Sequence, residues 1–104
     1  MTIQKALDPD TNQLTLTLEG RLDTTTAPEL EKELKASLGG VDSLIFDFMD
    51  LVYLSSAGIR VIIMAQKLMK PPKEMAIRNV NDIVYEVFEM TGLTDVIKIS
   101  ILTV

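Results

Sequence analysis

An α/β fold built on a mixed sheet of four or five strands is predicted by three features of the sequence. Leu14-Thr15-Leu16-Thr17-Leu18 alternates strictly between apolar and polar side chains, the period of a half-buried strand. Helical patterns, with apolar residues three or four apart, then take turns with short apolar runs. The connections between them are short, which favours parallel strands joined by right-handed crossovers. The predicted order is β-β-α-β-α-β-α-β, with three main helices packed mainly on one face and the first strand as an antiparallel edge.

A first strand over residues 2–7 pairs with the alternating run through the turn cluster Asp8-Pro9-Asp10-Thr11-Asn12, and the second strand ends at Glu19-Gly20. Thr24-Thr25-Thr26-Ala27-Pro28-Glu29 is a helix start: a Thr caps, Pro28 sits in the first turn, and Glu29 and Glu31 suit the positive end of the helix. Leu30, Leu34 and Leu38 lie on one face of that helix, and Gly39-Gly40 stops it. Ser43-Leu44-Ile45-Phe46-Asp47-Phe48 is a buried strand. A second helix over residues 56–70 carries Ile59, Ile62 and Ile63 on one side and Val61, Met64, Ala65 and Leu68 on the other, and Pro71-Pro72 ends it. So wide an apolar surface implies a central helix or one that offers a face to a partner. Met75-Ala76-Ile77-Arg78 is a short strand, Asn81 and Asp82 open a third helix bearing Ile83, Val84, Val87, Phe88 and Met90, Gly92 follows it, and residues 96–102 form a last strand.

The 104 residues suit one domain, with 47% hydrophobic residues to fill its core. With no His, the usual general base and the Ser-His-Asp triad are missing; with no Cys, there is neither a disulfide framework nor a thiolate metal site. The chain is expected not to be an enzyme. Ten Lys and Arg against fifteen Asp and Glu give a net charge of −5, and the nearest approach to a basic cluster, Lys67, Lys70 and Lys73, reads as a solvated helix end. Nucleic acid is not an expected partner. Met1-Thr2-Ile3-Gln4-Lys5 lacks the regions of a signal peptide, and the apolar run at residues 59–69 is too short to span a bilayer, so a cytoplasmic location away from membranes is expected.

Ser55-Ser56-Ala57-Gly58 is the segment that carries chemistry. It has neither a G-x-S-x-G elbow nor a Ser-x-x-Lys pair, and no phosphate-binding glycine loop occurs elsewhere. Asp23, Asp42, Asp47 and Asp50 fall at strand ends, where they serve as caps and turn formers more readily than as a Mg²⁺ site. No cofactor is expected. A Ser at a strand-to-helix junction suits an N-cap, and small neighbours would also let a modifying protein reach the hydroxyl. On local residues alone the cap is the favoured reading.

Glu19-Gly20-Arg21-Leu22-Asp23, the helix start at Pro28 and Leu30, and Leu44-Ile45-Phe46-Asp47-Phe48 occur in that order. With Val52-Tyr53-Leu54-Ser55-Ser56-Ala57-Gly58-Ile59-Arg60-Val61 and Phe88-Glu89-Met90-Thr91-Gly92-Leu93, they resemble the STAS domain, specifically the stand-alone bacterial anti-sigma factor antagonists. The resemblance covers essentially the whole chain. It implies a regulator that binds an anti-sigma factor which is also a protein-serine kinase, so freeing a sigma factor. The kinase then phosphorylates a serine at the start of the second helix, and a PP2C-type phosphatase resets the switch. Aligned through Gly58, Ser56 takes the acceptor position, Ser55 stands where the family has Asp and is the second choice of acceptor, and Ala57 replaces the second hydroxyl residue. The implied docking surface comprises Asp23, Thr24, Thr25, Leu54, Ser55, Ser56, Ala57, Gly58 and Arg60, on a protein taken as a monomer or weak dimer. A STAS module in a non-sigma assembly, such as a signalling scaffold or transport accessory, and a nucleotide or anion sensor are the alternatives.

Overall fold

The computed structural model describes residues 1–102. Its elements are β1 (Thr2–Asp8), β2 (Gln13–Leu22), α1 (Ala27–Ser37), β3 (Ser43–Leu54), α2 (Ser56–Leu68), β4 (Glu74–Val80), α3 (Asp82–Met90), a 3₁₀ turn (Leu93–Asp95) and β5 (Lys98–Ile101). They form one five-stranded sheet in the order β1-β2-β3-β4-β5. β1 runs antiparallel to β2 at one edge, and every later pair is parallel. Each crossover from β2 onward steps one strand in the same direction, so right-handed connections bring the three helices to one face. The alternation in β2 and β3 follows from this. Leu14, Leu16, Leu18, Leu44, Phe46 and Phe48 are buried under the helices, whereas Thr15, Thr17, Ile45 and Asp47 on the opposite face are half-buried.

The departures from the sequence-based bounds that shape the site fall in β2, β3 and the last strand, and each has a physical reason. β3 continues past Phe48 to Leu54, and β2 past Gly20 to Leu22. The tails pair with each other in an irregular register, Glu19 opposite Asp50, Gly20 opposite Leu51, Arg21 opposite Tyr53 and Leu22 opposite Leu54. Gly20 has φ of +102°, a conformation an L side chain resists, and here it lets β2 resume beyond the break. β4 pairs with β3 only from Ser43 to Asp47, so these tails form a two-stranded extension beyond the rest of the sheet. The last strand begins at Lys98 rather than Val96, because Val96 and Ile97 donate backbone bonds back to Leu93 in the 3₁₀ turn.

Helix ends follow the predicted signals at α3, where the Asn81 side chain accepts from the Val84 N–H at 2.9 Å, but not at α1. Thr26 holds the cap position there without a side-chain cap bond. Its hydroxyl instead donates to the Arg21 carbonyl and accepts from the Asp23 N–H, each at 2.8 Å. The cap expected of a Thr is thus replaced by a loop closed around Asp23. The third helix buries only Val84 and Phe88 fully; Ile83 and Met90, read as part of its apolar face, are exposed. Among the described residues no helix is long and apolar enough to cross a membrane.

Candidate functional site

The paired tails of β2 and β3 deliver the chain to the start of α2. The Ser55 N–H donates to the Leu22 carbonyl at 2.9 Å, the last link between the tails. Ser55 itself is extended, with φ −96° and ψ 173°, and its hydroxyl accepts from the Gly58 N–H at 3.4 Å. Ser55 is therefore the N-cap, satisfying one of the free donors of the first turn. Ser56 is the first helical residue and is exposed, and its hydroxyl bonds no other described residue. The two adjacent alcohols have separate duties: one holds the helix end, the other stands free above it.

Gly58 is buried, and its lack of a side chain is what lets α2 start this low on the extension. A Cβ there would lie 2.7 Å from Leu22 Cγ and 2.8 Å from Leu54 Cδ1, closer than such atoms approach. Leu22 is fully buried and Leu54 is 7% exposed, so neither can turn aside freely. Gly58→Ala gains up to about 1 kcal/mol of helix propensity but suffers overpacking of about 1–3 kcal/mol. A net loss is expected, read as a melting temperature lowered by several degrees.

Asp23 is the organiser of the neighbouring loop. Its Oδ1 accepts from the Thr25 hydroxyl at 2.8 Å, the Thr25 N–H at 3.0 Å and the Thr26 N–H at 3.1 Å. Its Oδ2 lies 3.7 Å from Arg21 Nε, and the Arg21 guanidinium in turn lies 4.0 Å from the centre of the exposed Tyr53 ring. The Thr25 hydroxyl bond, aided by the Thr25 and Thr26 backbone bonds, outweighs desolvation and holds the Asp23 carboxyl below its ordinary value of 3.8. A depressed carboxyl stabilises the fold above its unfolded value, and that contribution disappears as pH falls through the folded one. Asp23→Asn is accordingly expected to lower the urea midpoint at neutral pH, with the gap closing below the ordinary carboxyl range. A gap independent of pH would contradict this role.

The predicted surface residues divide by depth. Thr24, Thr25, Ser56 and Arg60 are exposed, and Asp23, Ser55 and Ala57 are half-buried. Leu54 and Gly58 are buried and lie beneath the surface instead of on it, because they form the contact between α2 and the β2–β3 extension. A cleft of about 300 Å³ between α1 and α2 is lined by Thr24, Ala27, Pro28, Glu31, Ala57, Arg60 and Val61, which brings the Asp23 loop and the first turn of α2 to one place. Arg60, one turn beyond Ser56, also borders an apolar groove with Ile63, Met64, Lys67 and Leu68. The wide apolar surface of α2 is thus only partly covered, with Leu68 exposed and Ile63 and Met64 half-buried. The exposed Tyr53 and Val52 and the Glu31 side of the cleft lie outside the surface expected from the sequence. An apolar segment next to a helix start looks like core until its pairing partner is known.

The family model for the STAS domain matches residues 3–101. The anti-sigma-B factor antagonist of Staphylococcus aureus is 31% identical over 83 residues, which cover 78% of this chain and 77% of that protein. The chain belongs to the STAS family of anti-sigma factor antagonists. The anti-sigma-B factor antagonist of Listeria monocytogenes is 29% identical over 93 residues, 88% of this chain and 82% of the relative. Among solved structures, Bacillus SpoIIAA in its phosphorylated form superposes with a TM-score of 0.73 at 18% identity, over 94% of this chain and 90% of that one, and so shares the fold. Anti-sigma factor antagonists are regulators and not enzymes. In this STAS domain the exposed Ser56 hydroxyl and the cleft lined by Ala57 and Arg60 both lie at the start of α2.

Proposed function

We propose that this chain binds an anti-sigma factor that is also a protein-serine kinase, and that phosphorylation of Ser56 by that kinase ends the complex. One observation carries the reading: Ser55 takes the capping bond, so the exposed Ser56 hydroxyl is free to react without loss of the helix start. The Ser56 oxygen attacks the γ-phosphorus of the nucleoside triphosphate held by the kinase, its proton passes to a base of the kinase, and the bond to the β–γ bridging oxygen breaks to release the nucleoside diphosphate. The product carries about −1.5 to −2 charges. At the first position of a helix such a group meets free N–H donors and a favourable dipole, so the folded domain accepts it. Arg60, four residues on, lies on the same helical face and can pair with it.

The partner surface comprises Asp23, Thr24 and Thr25, the turn at Ser55, Ser56 and Ala57, and Arg60, with Leu54 and Gly58 supporting it from below. A PP2C-type phosphatase restores the binding form, and the cycle runs in the cytoplasm. The family relationship supports the anti-sigma partner, and the chemistry of the junction supports the switch. Incubation with the cognate kinase and ATP, followed by peptide mass spectrometry, tests the assignment. One phosphate on Ser56 is expected, and Ser56→Ala should bind the kinase with parental affinity yet resist modification. Phosphate on Ser55 in the parent, or undiminished incorporation in Ser56→Ala, would refute it.

A further inference from the structure

Helix α3 exposes an apolar stripe. Ile83, Val87 and Met90 recur at i, i+4 and i+7, within about 60° of one another around the axis. Ile83 is 74% exposed, Met90 is 81% exposed and Val87 is half-buried, while the core-facing positions Val84 and Phe88 are buried. Single exposed apolar side chains are ordinary, but three in line over two turns form the pattern by which one amphipathic helix meets another.

The charge beside the stripe is of one sign. Asp82, Glu86 and Glu89 lie along one flank of it, Asp95 follows in the 3₁₀ turn, and no Lys or Arg occurs between Arg78 and Lys98. Among the described residues none of these carboxylates is in an ion pair. Glu89 occupies the last turn of α3, where the negative end of the helix opposes it. A cation placed there would relieve two repulsions at once. A two-fold contact of this face with itself would set carboxylates against carboxylates, so a second copy is a poor occupant.

We infer that the Ile83–Val87–Met90 face of α3 docks a cationic amphipathic segment of a partner protein, its apolar residues on the stripe and its Lys or Arg beside Glu86 and Glu89. This contact is separate from the Ser56 surface and does not rest on it. A photo-reactive p-benzoylphenylalanine in place of Met90, in the full chain within its own cells, tests it by the identity of the cross-linked peptide. A segment of another protein with excess Lys and Arg and apolar residues three or four apart is expected. Ile83→Ser, and separately Glu86→Lys with Glu89→Lys, should each cut the adduct at least tenfold with unchanged melting curves, and Ser56→Asp should leave it intact. An adduct to a second copy, to lipid or to an acidic or uncharged segment would overturn the inference, as would no adduct or one indifferent to charge reversal. Loss of the adduct in Ser56→Asp would also overturn it, by merging the two surfaces.

Discussion

Ser56→Asp is expected to weaken docking to the anti-sigma kinase by at least about 30-fold, with the phosphorylated chain weaker still, up to about 5,000-fold. The range corresponds to about 2–5 kcal/mol for an unmatched charge inside an interface. The carboxylate carries one charge against the phosphate's −1.5 to −2, which puts the mimic at the lower end. The fold should hardly respond, because an acid in the first turn of a helix stabilises it by about 0.3–1 kcal/mol. Isothermal titration against the kinase, beside a thermal melt of the free chain, separates the two effects. Ser55→Ala supplies the contrast. It removes a cap worth about 0.5–2 kcal/mol, so it should lower the melting temperature while leaving Ser56 available. Equal kinase affinities for the parent and Ser56→Asp would remove the basis for a charge switch.

Much of this architecture is written in local patterns. Strict alternation in β2, Pro28 at the start of α1, Gly39-Gly40 after it and Asn81 before α3 each state a boundary that the structure keeps to within a few residues. The extension of β3 was not legible, because Met49 to Leu54 buries every third residue where a regular strand buries every second. That spacing arises from the irregular pairing with β2, a non-local fact. The division of labour between Ser55 and Ser56 was hidden for the opposite reason. Two identical alcohols differ only in backbone conformation, and the bond from Ser55 N to Leu22 O makes Ser55 the last extended residue. Leu54 and Gly58 stand two residues either side of Ser56 in sequence but face inward, because α2 packs directly on the extension. Ile83 and Met90 share the apolar period of α3, yet a nine-residue helix has only one side against the sheet.

Phe48→Ala is expected to be the most damaging single change to the fold, at about 3–5 kcal/mol. Phe48 is 1% exposed, its ring centre lies 5.7 Å from that of Phe46 at 49°, and it stacks 6.2 Å from Phe88 at 16°. It therefore ties β3 to α3 at the level where β4 has ceased to pair with β3 and the extension toward Ser55 begins. The neighbouring Asn81 amide donates to the Leu51 carbonyl at 3.0 Å and depends on the same alignment. Truncation leaves a void between two rings that cannot close without moving a strand or a helix. Against a total stability of about 5–15 kcal/mol, the loss should lower the melting temperature by more than about 12 °C in a domain of this size. Phe48→Leu keeps most of the buried surface and should lose far less. Both variants should retain the parent's affinity per folded molecule, the reverse of Ser56→Asp. A Phe48→Ala protein that melts like the parent would mean that the ring stack does not hold the extension, and the placement of Ser56 would then need another support.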